Sequence, residues 1–132
     1  MVADEVDSKD YYDEIGDVNN KFDLYWAGWG PDWPSADTVI PPLFDGRLIA
    51  PDSSDTMLFD DPAVNAEIDR INAETDLAQQ DKDWAALDKT IMGQAPIIPW
   101  VDLRQVSLYG PGLGGVHLGF IGTVYPLDVY VK

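Results

Sequence analysis

The sequence predicts an α/β fold, a mixed sheet with a helical hairpin, on three observations. Phe22–Trp29 begins with polar and apolar residues alternating and then turns apolar on both faces, the pattern of a strand entering a covered sheet. Two helical periodicities follow one another directly between residues 62 and 93. A β-branched run bracketed by Pro96 and Pro99 precedes a glycine-rich turn and a weakly alternating C-terminal stretch. At 132 residues, the length suits one domain or a piece of a larger one.

In chain order, Ser8 is placed to cap a short helix that carries Tyr11, Tyr12 and Ile15 on one face, and Gly16 to stop it. Phe22–Trp29 is the expected central strand. Gly30-Pro31-Asp32-Trp33-Pro34 ends it, because two prolines without amide hydrogens cannot continue a ladder, so a loop sits at its C-terminal end. Ser35-Ala36-Asp37 can cap a short helical turn through Leu43, limited by Pro41 and Pro42, and Asp45-Gly46 closes it. Residues 47–57 read as irregular surface loop.

Asp60 or Asp61 caps a helix that starts with Pro62, buries Val64, Ile68 and Ile71, and turns Glu67, Asp69, Arg70 and Glu74 to solvent. A second helix runs from about Leu77 to Gly93, with Trp84, Leu87, Ile91 and also Leu77 on its apolar face. Pro96–Val101 suits a short strand and Gln105–Tyr109 its continuation. Residues 110–115 are a turn, and Val116–Lys132 reads as one or two strands.

Composition excludes several function classes. The net charge is −16, and the eight Lys and Arg are scattered singly, so no basic groove is available for a nucleic acid. No apolar run approaches the roughly 20 residues that a membrane-spanning helix needs. With no cysteine, thiol nucleophiles, disulfides and thiolate metal sites are absent. The first 17 residues carry seven carboxylates and one lysine, unlike the basic start and apolar stretch of a secretory signal, so no export signal is expected there. Charge is also uneven: residues 1–88 hold 22 acidic and five basic side chains, residues 89–132 two and three. The last third is therefore expected to be the better buried part.

Catalytic chemistry finds few footholds. The one imidazole, His117, has no serine close by in sequence, and nucleophilic catalysis needs such a pair. The glycines at 110–115 lack the Lys-Ser/Thr ending of a phosphate loop. Asp60-Asp61 and Asp52 with Asp55 do not match a calcium loop with its central Gly and terminal Glu. No enzyme, metal or cofactor is expected.

What remains is Tyr25–Pro34. Three tryptophans and a tyrosine stand there beside one carboxylate, Asp32, and two glycines, Gly28 and Gly30, whose backbone another chain can approach. An Asp in such a setting would pair with an ammonium group, while a glycine-flanked strand offers main-chain donors and acceptors to an extended ligand. The same residues also suit a core strand with Asp32 as a turn residue between two prolines.

This stretch, Phe22–Pro34, resembles the signature of the extracytoplasmic solute-binding proteins of peptide-type ABC transporters, often called family 5. Asp61-Pro62-Ala63-Val64-Asn65 with Ile68-Asp69, then Glu74-Thr75-Asp76, then Ala95-Pro96-Ile97-Ile98-Pro99 are similar to further stretches of that family, in its order. The resemblance covers nearly the whole chain but only the C-terminal part of a typical member. It implies the C-terminal portion of a type II periplasmic-binding-protein-like fold, with residues 1–107 part of the second lobe and 108–132 returning strands of the first. It further implies Asp32 as partner of a bound peptide's α-ammonium, Gly28 and Gly30 as main-chain contacts, and Trp29 with Trp33 as pocket walls. The implied partners are a peptide or other small solute and, through a full-length parent, an ABC transporter permease; the implied location of that parent is extracytoplasmic. An incomplete cleft would bind weakly and leave apolar surface free for self-association or exchange of the C-terminal strands. A different class, a stand-alone interaction or carbohydrate-binding module, would use Trp26, Trp29 and Trp33 as a stacking platform, although odd and even positions of one strand cannot share a face.

Overall fold

The computed structural model describes residues 3–51, 53–104, 106–120 and 122–132. Four helices form its ordered centre: α1, Tyr11–Ile15; α2, Ile40–Phe44; α3, Pro62–Asn72; and α4, Leu77–Gly93. Single 3-10 turns at Ala36–Thr38, Gly46–Leu48 and Pro126–Asp128 and a two-stranded antiparallel sheet complete it. In that sheet β1, Leu113–Gly114, pairs with β2, Tyr130–Val131, with Leu113 opposite Val131. One isolated bridge joins Leu118 to Val124. Among the described residues no helix is long and apolar enough to cross a membrane.

The helical hairpin follows the expected bounds because its signals are local. The Asp61 carboxylate accepts a hydrogen bond from the Ala63 amide at 2.8 Å, and Pro62 occupies a first-turn position whose missing N–H costs nothing. Asp76 accepts from the Ala78 and Gln79 amides at 3.0 and 3.3 Å. The Gln80 side chain donates to the Ile71 and Glu74 carbonyls, and Gln94 donates to Asp61 at 2.7 Å, so both ends of the hairpin are tied. Gln94 ends α4, and Ala95 follows at φ 54, a left-handed conformation that turns the chain away from the helix axis.

The core lies between α2, α3 and α4: Ile40, Phe44, Val64, Ile68, Ile71, Trp84, Leu87 and Ile91 are buried, with Met57 and Phe59 packed against them. Phe59 meets the edge of Phe44 with ring centroids 5.8 Å apart. Leu77 does not join this face; it is 71% exposed.

Polar side chains fix α2 to α3. Arg47 makes a two-pronged pair with Asp45, at 2.8 and 2.7 Å, and another with Asp69 on α3, at 2.6 and 2.8 Å. These bonds hold both carboxyls below the usual carboxylate range and raise the guanidinium further. Beside them the Asn65 side chain accepts from the Gly46 amide and donates to Asp60. A β-carbon on Gly46 would lie 2.2 Å from the Asp60 carboxylate, so only glycine fits that approach.

The segment 47–57, expected as surface loop, is partly inside. Asp55 is buried, its Oδ1 accepts from the Phe59 amide at 3.1 Å, and its Oδ2 has no partner among the described residues. Burial pushes its carboxyl up to about 6.

The expected sheet is where the structure departs from the sequence reading. Phe22–Trp29 is no strand: it runs irregularly along the surface, and so do Pro96–Val101 and the described part of Gln105–Tyr109, residues 106–109; Gln105 lies outside the described residues. Strand pattern without a neighbouring strand leaves the ladder unmade. Ser8 caps no helix either; α1 begins at Tyr11, after Asp10, and its cap makes no side-chain bond, while Tyr12 faces solvent and Ile15 is buried. The C-terminal strands shrink to β2 and one bridge. The last third is not the better buried part: among the described residues of 89–132 only Ile91 and Gly114 are buried. Many of its side chains are apolar, yet among the described residues few of them pack against another element.

Trp84→Ala is expected to cost about 3–5 kcal/mol by loss of a fully buried side chain, and Leu77→Ala to stay within about 0.5 kcal/mol; urea denaturation of both variants checks this. Asp55 is the unusual acid. Its folded value lies above the unfolded one, so its favourable contribution is full below about pH 4 and is lost as pH rises through about 6. Asp45, Glu67 and Asp69 have the opposite sign, with stability present above their unfolded values and lost as pH falls through the folded ones. Asp55→Asn is therefore expected to raise the melting temperature at pH 7 and to have no such benefit below pH 4.

Candidate ligand-binding site

The segment 22–34 has no regular hydrogen-bonded structure, yet side-chain bonds position it. The Tyr11 hydroxyl on α1 accepts from the Trp26 amide at 3.1 Å and donates to the Trp26 carbonyl, replacing both bonds that a strand neighbour would make. The Trp29 indole N–H donates to the Thr38 carbonyl at 2.9 Å. Thr38 is buried in the turn that leads into α2, and its hydroxyl donates to the Ser35 carbonyl at 2.9 Å. The Ser35 amide donates to the Trp33 carbonyl at 2.7 Å, closing a turn after Pro34. A path of bonds thus runs from the core helix to the tryptophans.

The predicted site residues fall together on this loop. Trp26, Trp29 and Trp33 are 55%, 45% and 54% exposed. A β-carbon on Gly28 would sit 3.6 Å from the Trp26 ring, which lies over that glycine, whereas one on Gly30 would meet nothing within 4 Å. Gly30 therefore leaves open backbone on the solvent side. Asp32 is exposed, and among the described residues no hydrogen bond or ion pair engages its carboxylate. With no strand present, the alternation of faces that would separate the three tryptophans does not apply.

Two residues with a role here were not singled out from the sequence. Tyr11 and Thr38 act through contacts 15 and nine positions away, which no local pattern displays. Nearby, Asp37 keeps one carboxylate oxygen sealed from solvent without a hydrogen-bond partner among the described residues. In the sequence it carried only the signature of a helix cap.

Two open depressions lie elsewhere. One, of about 310 Å³, is lined by Asp4, Glu14, Asp17, Asn20, Lys21 and Phe22, and the other, of about 300 Å³, lies between α3 and α4 beside Val64 and Leu87. Neither includes a residue of 25–34. No group of three or more His, Asp or Glu that could hold a metal ion occurs among the described residues. The Asp60 and Asp61 carboxylates serve Asn65, Ala63 and Gln94 instead. Asp52 lies outside the described residues, and His117 is exposed, with its carbonyl accepting from the Tyr125 amide.

The arrangement of helices with a small antiparallel sheet is similar to part of an oligopeptide-binding protein. The solved structure in question is that of "Clavulanic acid biosynthesis oligopeptide binding protein 2", with a TM-score of 0.71 and 28% sequence identity over 78% of this chain. The chain spans 19% of that protein's length. No family model matches the sequence, and no curated protein matches it.

Removing the hydroxyl in Tyr11→Phe frees the Trp26 backbone. Amide exchange at Trp26, followed by NMR, is expected to accelerate about ten-fold, while the Trp29 indole proton, held by Thr38, keeps its protection.

Proposed function

We infer that this chain is part of a solute-binding protein that captures peptides, and that it supplies one wall of the ligand cleft through residues 28–33. The observation that carries this reading is the structural similarity to an oligopeptide-binding protein over most of the chain. The free Asp32 carboxylate and the open backbone at Gly30 supply the two functions that an extended peptide requires: a partner for its α-ammonium and main-chain hydrogen bonds. Trp29 and Trp33 give apolar walls, and the Trp29–Thr38 bond keeps one of them in place.

The finer reading places the chain at the C-terminal end of a family 5 binding protein with a type II fold. Residues 1–107 belong to its second lobe and 108–132 return to the first. Closure of the two lobes on ligand would then deliver the peptide to an ABC transporter permease outside the cytoplasm. The apolar, exposed last third supports this assignment, since strands bare of partners here would be covered in a two-lobed protein. The role is binding, with no catalytic step.

Calorimetry tests the reading at its sharpest point. In a protein carrying both lobes, an unmodified short peptide is expected to bind at least ten-fold more tightly than its N-acetylated form, and Asp32→Asn to abolish that difference. Equal affinity for both peptides in the unsubstituted protein refutes ammonium pairing by Asp32. The isolated chain binds weakly because a single wall removes little of a peptide from water.

A further inference from the structure

The Trp26 backbone is closed on one side by a side chain from elsewhere in the chain. The Tyr11 hydroxyl accepts from its amide at 3.1 Å and donates to its carbonyl. One hydroxyl reaches both groups because the N–H and C=O of a single extended residue point to the same edge of the backbone. Residues 24–31 contain no turn or bend, so that edge continues along them, and every second residue presents its pair of groups there. Those residues are Gly28 and Gly30. Among the described residues neither their amides nor their carbonyls make a hydrogen bond. Tyr11 therefore stands at one end of a short open edge, and Asp32 at the other.

We propose, resting on the peptide-binding reading of this wall, that Tyr11 is a length stop: it limits a peptide bound along the edge to about four residues. The position of Asp32 sets the direction. A peptide whose α-ammonium pairs with Asp32 starts at Gly30 and runs toward Trp26, against the direction of the wall, so the two pair as antiparallel strands. Its first residue lies opposite Gly30, its third opposite Gly28 and its fifth opposite Trp26, about 13 Å from the first. At Gly30 and Gly28 the backbone groups are available. At Trp26 both are taken, and the Tyr11 side chain fills the place where the fifth residue would lie.

The stop is anchored through its own helix. Tyr11 opens α1, whose Ile15 is buried, and the Asn20 side chain donates to the Ile15 carbonyl at 3.0 Å. The Tyr11 ring also meets Tyr12 edge to face, with centroids 5.5 Å apart. Displacing the hydroxyl breaks two hydrogen bonds, and a longer peptide forms only two in their place, so the exchange brings no net gain. The limit is set within this chain and does not depend on what forms the opposite wall.

Titration of the 132-residue chain with C-terminally amidated alanine peptides at millimolar concentration, followed by NMR, tests this. In the unsubstituted chain the Gly28 and Gly30 amides are expected to shift with peptides of three to six residues, and the Trp26 amide to stay in place with all of them. In Tyr11→Ala the Trp26 amide is expected to shift with peptides of five and six residues and not with three. Tyr11→Phe keeps the ring and loses both bonds; it is expected to give a smaller shift of the same kind, and it guards against loss of α1 in the alanine variant. In a protein carrying both lobes, extension from four to five residues is expected to leave affinity unchanged in the unsubstituted form and to raise it about five-fold in Tyr11→Ala, a ratio taken within each variant. A Trp26 amide that shifts with long peptides while Tyr11 is present, or that stays in place in both variants, overturns the stop. N-acetylated peptides keep the two inferences apart. Equal shifts from free and acetylated peptides refute the pairing with Asp32 and the direction that rests on it, whereas a difference between them with no effect of Tyr11 refutes the stop alone. A wall that answers to no peptide overturns both.

Discussion

The guanidinium of Arg47 is the joint on which the ordered half of the molecule depends. It binds Asp45, at the end of α2, and Asp69, on α3, each through two hydrogen bonds. Two carboxylates this close would repel without a cation between them, and a planar fork that donates in two directions meets that geometry where an ammonium would not. With Arg47 in place, Gly46 approaches Asp60 and Asn65, α2 settles on the hairpin, and Ile40 and Phe44 reach the core.

From that joint the order extends outward to the candidate site. The turn before α2 presents the Thr38 carbonyl to the Trp29 indole, and α1 presents the Tyr11 hydroxyl to the Trp26 backbone. The loop is positioned mainly by side chains, with one backbone bond from Ser35 to Trp33, which leaves the Asp32 carboxylate facing solvent. Such a loop is placed to meet a second surface. The same holds for residues 96–109, where the chain carries the apolar composition of a covered strand and none of the cover.

Charge and exposure run opposite to expectation in the two halves. The acidic residues of 1–88 surround a real core, and several of them are put to work: Asp61 and Asp76 cap helices, Asp45, Asp69 and Asp83 hold arginines. Residues 89–132 are nearly neutral, a composition that favours burial, yet among the described residues they are mostly exposed. Low charge marks a surface suited to burial; whether it is buried depends on what stands opposite.

The sequence by itself determined the helical hairpin, including Asp61 and Pro62 at the start of α3, the span of α4 from Leu77 to Gly93, and the buried series Val64, Ile68, Ile71, Trp84, Leu87 and Ile91. These are legible because capping bonds and the 3.6-residue period act within a few positions along the chain. It also gathered Gly28, Trp29, Gly30, Asp32 and Trp33 into one loop, since they adjoin in sequence. Only the tertiary structure decided that Phe22–Trp29 is a tethered loop and no strand, that Leu77 is exposed, and that Asp55 is buried. A strand exists only when a neighbour accepts its hydrogen bonds, and burial only when another element packs on it. Both depend on residues distant in sequence, as Tyr11 is from Trp26 and Arg47 from Asp69.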